Sequence, residues 1–590
     1  MHPALRLNNL SRLPPTMRDH LKMPIRLAES PLSVDFLMFS GRFRDNQASY
    51  TLIKSTPAFW SMLGEAWLHI TQSVDPPNGV LFADLSGFIQ APEAVEPDNL
   101  AEMIEGVGGT IHELARVATL YLALLVPRSP DVVDFIAMHL LGPVLKFSKA
   151  IDPSLDNMKG PALPLGAYGI ALLSENVVPI LTNGLCAGMR VLAQGGDPVK
   201  MDYIAGILWE TSNLLKVMLV KSSAVQDVPM ALKSGLLRAI ATCAQIPGFS
   251  PLQQHLAHWV HIVLPVNLVF HGVLMALGPA LEDIVGLVNT NAFRRSVVYE
   301  KWTAFNSLAQ ERLQILKSRF FDETRSLRVC DNIQCLTIQS KALFERCSGC
   351  RSFYYCGKAC QVSDWRAGGH RDACGSYLYA AGQFHVASRN RAFLRALMNH
   401  DYERSKVAIL QDELLFRHAH PGEPYFLMYD YTQGVVEIEP HLLDSNESLA
   451  GALWMDAVSQ VARSRGRMRL DVIIVSTMKG AAWLTLPLRR NTARVDTTLS
   501  RLANELPNDR NMWDMRYVTE ALACLALPED LPINEVLRQI FQLTQKLTSQ
   551  FLLDAKTSTP HQNVAPRVSS NGVRTRLSYY GCSYPEKASP

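Results

Sequence analysis

The sequence predicts a mainly α protein: a multi-helical, solenoid-like N-terminal region, a small cysteine-rich module, and an α+β C-terminal domain. Three observations carry this. Hydrophobic residues make up 48% of 590 and charged residues 19%, a balance that supports large buried cores and excludes charge-rich disorder over most of the chain. Apolar residues recur with helical spacing from about Leu100 to Glu323. Seven of the eleven cysteines fall between Cys330 and Cys374, and clusters of that density hold metal or disulfides rather than ordinary core.

Residues 1–99 read as a partly irregular N-terminal segment. Residues 1–28 carry Arg6, Arg12, Arg18, Lys22 and Arg26 against Asp19. Four prolines there would interrupt the amphipathic helix that a mitochondrial presequence needs. No basic start is followed by an apolar run and a small-residue cleavage site, so the expected setting is intracellular, cytoplasmic or nuclear.

Residues 100–325 read as a helical array. Its breaks are Pro127, the Pro-rich loop Asp152–Leu165, Gly195–Pro198, Pro247-Gly248 and Asn289–Asn291. Segments Ala101–Leu125, Met201–Val220 and Met230–Gln245 are apolar on more than one face, as in stacked helices; a compact bundle is the rival. The stretch Ala239–Leu281 holds no Asp, Glu, Lys or Arg. Ile262–Leu281 has the length of a membrane span, but Pro265, Asn267, His271, Gly272 and Pro279 favour buried core helices, and no membrane is expected. His255, His258 and His261 share a helix face beside Trp259; a polar face outweighs a zinc site without a carboxylate partner. Phe293–Phe320 is the clearest amphipathic helix, with Val298, Trp302, Phe305, Ala309, Leu313, Leu316 and Phe320 inward. Glu300, Lys301, Glu311, Arg312 and Lys317 are expected to face water.

Residues 328–376 hold the chemistry. The pattern is Cys330-x4-Cys335, Cys347-x2-Cys350, Cys356-x3-Cys360 and His370-x3-Cys374. Seven thiols and one imidazole in four close pairs suit two tetrahedral, closed, structural zinc sites. Gly349 sits inside a tight Cys347–Cys350 knuckle, where backbone amides can bond thiolates. So short a segment buries little core, and each structural zinc would supply about 10–16 kcal/mol of folding energy. Spacing alone leaves the pairing of the eight ligands open.

With Tyr355-Cys356, Cys360-Gln361, Asp364-Trp365, His370-Arg371 and Cys374, this segment resembles the MYND-type zinc finger over Cys330–Cys374. The resemblance implies a cross-braced fold: Cys330, Cys335, Cys356 and Cys360 on one zinc, and Cys347, Cys350, His370 and Cys374 on the other. The first pair has four intervening residues rather than two, Gly357 stands where Ser is common, and Trp365 to His370 is longer than usual. These change loop lengths and keep every ligand type. The resemblance also implies protein partners, often proline-rich peptides, with Gln361 and Trp365 lining the groove. An aromatic plane suits an extended Pro-rich segment, while packing beneath the zincs is an equal reading of Trp365.

From Arg328 to Tyr377 seven basic residues meet four acidic ones. Seven thiolates and two Zn²⁺ cancel the excess, so no nucleic acid is expected. Some MYND fingers sit within SET-type protein-lysine methyltransferases, which is the alternative function. Asn399-His400-Asp401-Tyr402 is the nearest approach to their cofactor segment and lacks the rest. The chain also has no phosphate loop, no Gly-x-Ser-x-Gly and no His-Glu-x2-His, and His418 and His420 read as a solvated loop. No catalytic residue is expected.

Residues 377–553 read as α+β: helices Asn390–Met398 and Lys406–Phe416, strands within Pro424–Pro440, helix Ser448–Arg463, strands Met468–Ser476 and Ala481–Leu488, then three helices ending with Ile533–Leu553. Residues 554–590 form a Ser/Thr/Pro/Asn-rich tail expected to be disordered. The whole reads as a zinc-binding interaction or adaptor protein.

Overall fold

The computed structural model describes residues 58–72, 85, 88–89, 92–126, 135–155, 165–221, 226–318, 327–335, 337–375, 388–443, 452–477, 480–489, 492–507 and 513–526. The N-terminal stretch 1–28, the expected helix 533–553 and the tail 554–590 lie outside them. The chain divides into two compact units, Met1–Leu506 and Pro507–Pro590.

The first unit opens with helices α1 (Phe59–Gln72), α2 (Pro97–Val107), α3 (Ile111–Leu125), α4 (Phe135–Ile151), α5 (Ala167–Ser174), α6 (Val177–Gln194) and α7 (Pro198–Lys221). Helices α8 (Asp227–Lys233), α9 (Leu236–Cys243), α10 (Ser250–His258), α11 (His271–Asp283), α12 (Val285–Val288), α13 (Asn291–Arg294) and α14 (Tyr299–Lys317) follow. The segment read as one apolar run, Ala101–Leu125, is two helices. Gly108 and Gly109 turn between them at φ 128° and 86°, and Thr110 accepts the Glu113 amide to start α3. Met230–Gln245 is likewise split at Gly235, φ 95°. Ile262–Leu281 is interrupted by a 3-10 turn at Pro265–Asn267, where Asn267 Nδ2 donates to the Val263 carbonyl at 2.7 Å. Among the described helices, α6 is long and apolar enough to cross a membrane, and 56% of it is buried inside the protein.

One hydrophobic cluster runs from Phe59, Trp60 and Trp67 in α1 through α14 and into the sheet that follows. That sheet has the order β6-β5-β7-β8, built from β5 (Tyr425–Asp430), β6 (Glu437–Leu442), β7 (Met468–Thr477) and β8 (Gly480–Arg489). Strands β5 and β7 are parallel and the other pairs antiparallel. The strand period of two sorts its side chains. Leu427, Tyr429, Tyr431, Ile473, Val475 and Leu486 join the helical core. Phe426, Leu470, Val472 and Ile474 pack beneath the crossover helix Ala452–Arg463, against Trp454 and Ala457.

The helix before the sheet, Ser388–Ala419, is continuous. The sequence suggested two helices because 399–405 is polar, and those polar residues turn out to be the weld. Asp401, fully buried, accepts Arg312 Nη1 at 3.0 Å and the Tyr431 hydroxyl at 2.8 Å. Arg312, expected in water, is 1% exposed, because its partner lies 89 residues ahead and leaves no local signal. Arg469 forks onto Asp471 at 2.6 Å through Nε and Nη2 and lies 4.2 Å over the Tyr402 ring. Glu413, fully buried, has Arg469 Nη1 at 3.9 Å. Helix Arg494–Glu505 ends the first unit, where Asp496 and Ser500 accept Arg417. In the second unit, Trp513 Nε1 donates to Pro507 O ahead of helix Met515–Ala526.

The histidine stripe is a helix face rather than a ligand set. His255 Nε2 accepts Trp259 Nε1 at 3.3 Å and its ring lies 4.5 Å from Trp209. Burial, then nearby Lys216, brings His255 down to about 3 and His258 to about 4. Both are neutral in the fold, while the unfolded chain protonates them near 6.5. Their contribution is complete above that pH and is lost as pH falls toward the folded values. We predict a stability slope of up to about 1.4 kcal/mol per pH unit per histidine over that window, flattened in His255→Gln and read by urea denaturation. We also predict that Arg312→Met, which strands a buried carboxylate, costs about 3–5 kcal/mol, and that Arg312→Met/Asp401→Leu costs less.

Candidate metal centre

The finger begins with β1 (Leu327–Val329), antiparallel to β2 (Ile338–Ser340) with Arg328 opposite Gln339. Strand β3 (Glu345–Arg346) then pairs with β4 (Tyr354–Tyr355). Helix α15 (Lys358–Ala367) follows, and residues 370–375 are helical. Its own core is Phe344, Phe353, Tyr354 and Tyr355 with the cysteine sulfurs, separate from the large cluster. Four aromatics bury little area for 45 residues, so the ligands must do the folding work.

Those ligands fall into two groups, Cys330, Cys335, Cys356 and Cys360, and Cys347, Cys350, His370 and Cys374. Within each group all four ligand atoms lie within 4.8 Å of one another. The first and third pairs in sequence meet, as do the second and fourth. This is a cross-braced grouping of the ligand atoms. Cys335 and Cys356 sulfurs are 3.6 Å apart, Cys356 and Cys360 3.5 Å, Cys347 and Cys374 3.8 Å, and Cys350 Sγ lies 3.6 Å from His370 Nε2.

Each ligand is set by local geometry. Strand β1 delivers Cys330 and β3 leads into Cys347. One helical turn aligns His370 with Cys374. The Gly349 and Cys350 amides bond the Cys347 sulfur, and Arg351 turns the knuckle at φ 55°. A Cβ on Gly349 would stand 3.0 Å from Cys374 Sγ and 3.7 Å from Cys347 Sγ, so the knuckle needs glycine.

The electrostatics favour a cation. Burial pushes the Cys330 thiol up, and pushes Cys374 up to about 11. At Cys335 burial raises the thiol, but hydrogen bonds from Thr337 and the neighbouring cysteines outweigh it and bring the group to about 7. Burial lowers His370, which keeps the imidazole neutral and its nitrogen lone pair available to metal. Rings of Phe353, Tyr355 and Trp365 surround it, with centroids at 4.0, 6.1 and 5.7 Å.

Gln361 is half-buried and Trp365 is 40% exposed, one turn apart on α15. Trp365 therefore packs part of its ring near His370 and leaves the rest to solvent. The position beneath the ligands is taken by Tyr355, whose hydroxyl donates to buried Asp364 at 2.8 Å and pins α15 to the hairpin. Gly368 follows because a Cβ there would sit 1.8 Å from Asp364 Oδ1. The Gly368 carbonyl accepts Arg463 Nη1 at 2.5 Å, and Gln334 accepts Arg467 Nη2 at 3.4 Å, which seats the finger on the end of the crossover helix and the turn that follows it. Nothing in the spacing announces these contacts. We predict that chelation abolishes hydrogen-exchange protection across Cys330–Cys374 and leaves α1–α14 protected.

Residues 330–374 match the MYND finger family. The chain is also 42% identical over 53 residues, 9% of its length, to ubiquitin carboxyl-terminal hydrolase 19 of Arabidopsis thaliana, and the match spans 8% of that relative. No solved structure matches the chain. The protein carries a MYND finger whose cysteine and histidine clusters suit zinc, and its resemblance to known proteins is confined to that finger.

Proposed function

We propose that the finger holds two structural zinc ions, one on Cys330, Cys335, Cys356 and Cys360 and one on Cys347, Cys350, His370 and Cys374. On this reading the chain is an intracellular adaptor that presents the Gln361 and Trp365 face of α15 to short proline-rich peptides. The observation that carries the reading is Trp365. A large aromatic is 40% exposed while its ring lies 5.7 Å from a ligand ring, so the metal site fixes the orientation of a surface aromatic. A fixed aromatic plane costs little entropy to engage, and Pro-rich segments arrive already extended. The Gln361 amide, one turn away, can bond the peptide backbone. The helices then serve as a platform, stacked in a solenoid-like manner, and the protein acts by binding rather than by catalysis. The relative's hydrolase name does not transfer, because the shared stretch is the finger.

Titration of a Pro-x-Leu-x-Pro peptide into zinc-loaded full-length protein tests this. Trp365→Ala is expected to cost about 2 kcal/mol or more of binding, with zinc content unchanged. Equal affinity in the variant would remove the groove, and saturable S-adenosylmethionine binding would favour a methyltransferase instead.

A further inference from the structure

The near-neutral balance of the finger conceals a segregation of its charges. Three cations surround one ring: Arg328 lies 4.3 Å, Arg346 5.0 Å and Lys341 5.6 Å from the Tyr354 centroid. They come from β1, β3 and the 3-10 turn Lys341–Leu343. The helix Ser388–Ala419 adds Arg391 and Arg395, four residues apart on one of its faces, and Arg395 feels both Arg391 and Arg328 as like charges. Burial lowers Arg395 to about 10, and its Nε is enclosed without a hydrogen-bond partner among the described residues.

Among the described residues, no carboxylate forms an ion pair with any of the five. Asp331, the acid that acts on Arg395, accepts the Tyr354 amide at 2.6 Å. Lys341, Arg346 and Arg391 are exposed, and Arg328 is half-exposed. Gathering like charges in one place costs Coulomb energy that cation–π contact with a single ring offsets only in part, and burying a guanidinium nitrogen without a hydrogen bond costs free energy. An anionic ligand would repay both costs.

We propose that this face is a docking surface for an acidic, Asp/Glu-rich segment of a partner protein. Charge complementarity selects the chemistry, since planar guanidinium groups bind carboxylates through paired hydrogen bonds. A polynucleotide is disfavoured because the cations form a compact knot rather than a stripe. The surface is distinct from the Trp365 face. Successive strand residues point to opposite sides, so Tyr354 faces away from Tyr355, whose hydroxyl reaches α15 through Asp364.

The test is fluorescence anisotropy on zinc-loaded full-length protein. The probes are a labelled Asp/Glu-rich peptide, its phosphoserine counterpart, a Lys/Arg-rich peptide and single-stranded DNA. The Asp/Glu peptide is expected to bind, more weakly as salt rises. Arg346→Glu/Arg391→Glu, at two exposed positions, should weaken it by at least about tenfold, with zinc content and circular dichroism unchanged. Trp365→Ala should leave it unaffected, which separates this surface from the peptide groove. Equal binding by the double variant, no binding of the Asp/Glu peptide, binding of the phosphoserine peptide alone, or tighter binding of DNA would each overturn the proposal.

Discussion

Everything specific about this protein depends on the crowding of eight ligand atoms into two groups, each within 4.8 Å. Four thiols so close cannot all ionise in the absence of a cation, because each thiolate would raise the cost of the next. Protonated, they give up the charge–charge attraction that would repay the ordering of a segment with four core aromatics. A divalent ion resolves both problems at once. An ion in each group would draw ligands from both halves of the finger, closing the β1–β2 arm onto α15 and the knuckle onto the 370–375 turn.

The same logic of burying charge only with a partner recurs outside the finger. Asp401 is wholly buried and satisfied by Arg312 and Tyr431. Arg469 is satisfied by Asp471, with Glu413 close by. These clusters join α14, the long helix that follows the finger and the sheet, so the chain on either side of the metal module is tied together. The finger is not a bead on a string. Arg463 holds the Gly368 carbonyl, so any ordering of the 370–375 turn by metal would be coupled to the crossover helix.

Ligand chemistry was the most legible part of the sequence. Tight pairs such as Cys347 and Cys350, or His370 and Cys374, must be close in sequence because a knuckle or a helical turn presents them. The cross-brace was legible only through resemblance, because it joins pairs some twenty residues apart. Helix type was plain from periodicity, but ends were not: Gly108-Gly109 and Gly235 broke runs that apolar content alone had joined. Arg312 was misread because a local period assigns a charge to water unless the distant Asp401 is known. Trp365 could be placed on the surface only once Tyr355 and Asp364 were seen to occupy the position beneath the ligands.

X-ray absorption at the zinc edge on the full-length protein tests the central claim most directly. Two closed sites with seven thiolates and one imidazole predict two zinc ions per chain, a first shell dominated by sulfur at about 2.3 Å and a small nitrogen contribution. A single ion per chain, or a shell dominated by nitrogen and oxygen, would contradict it.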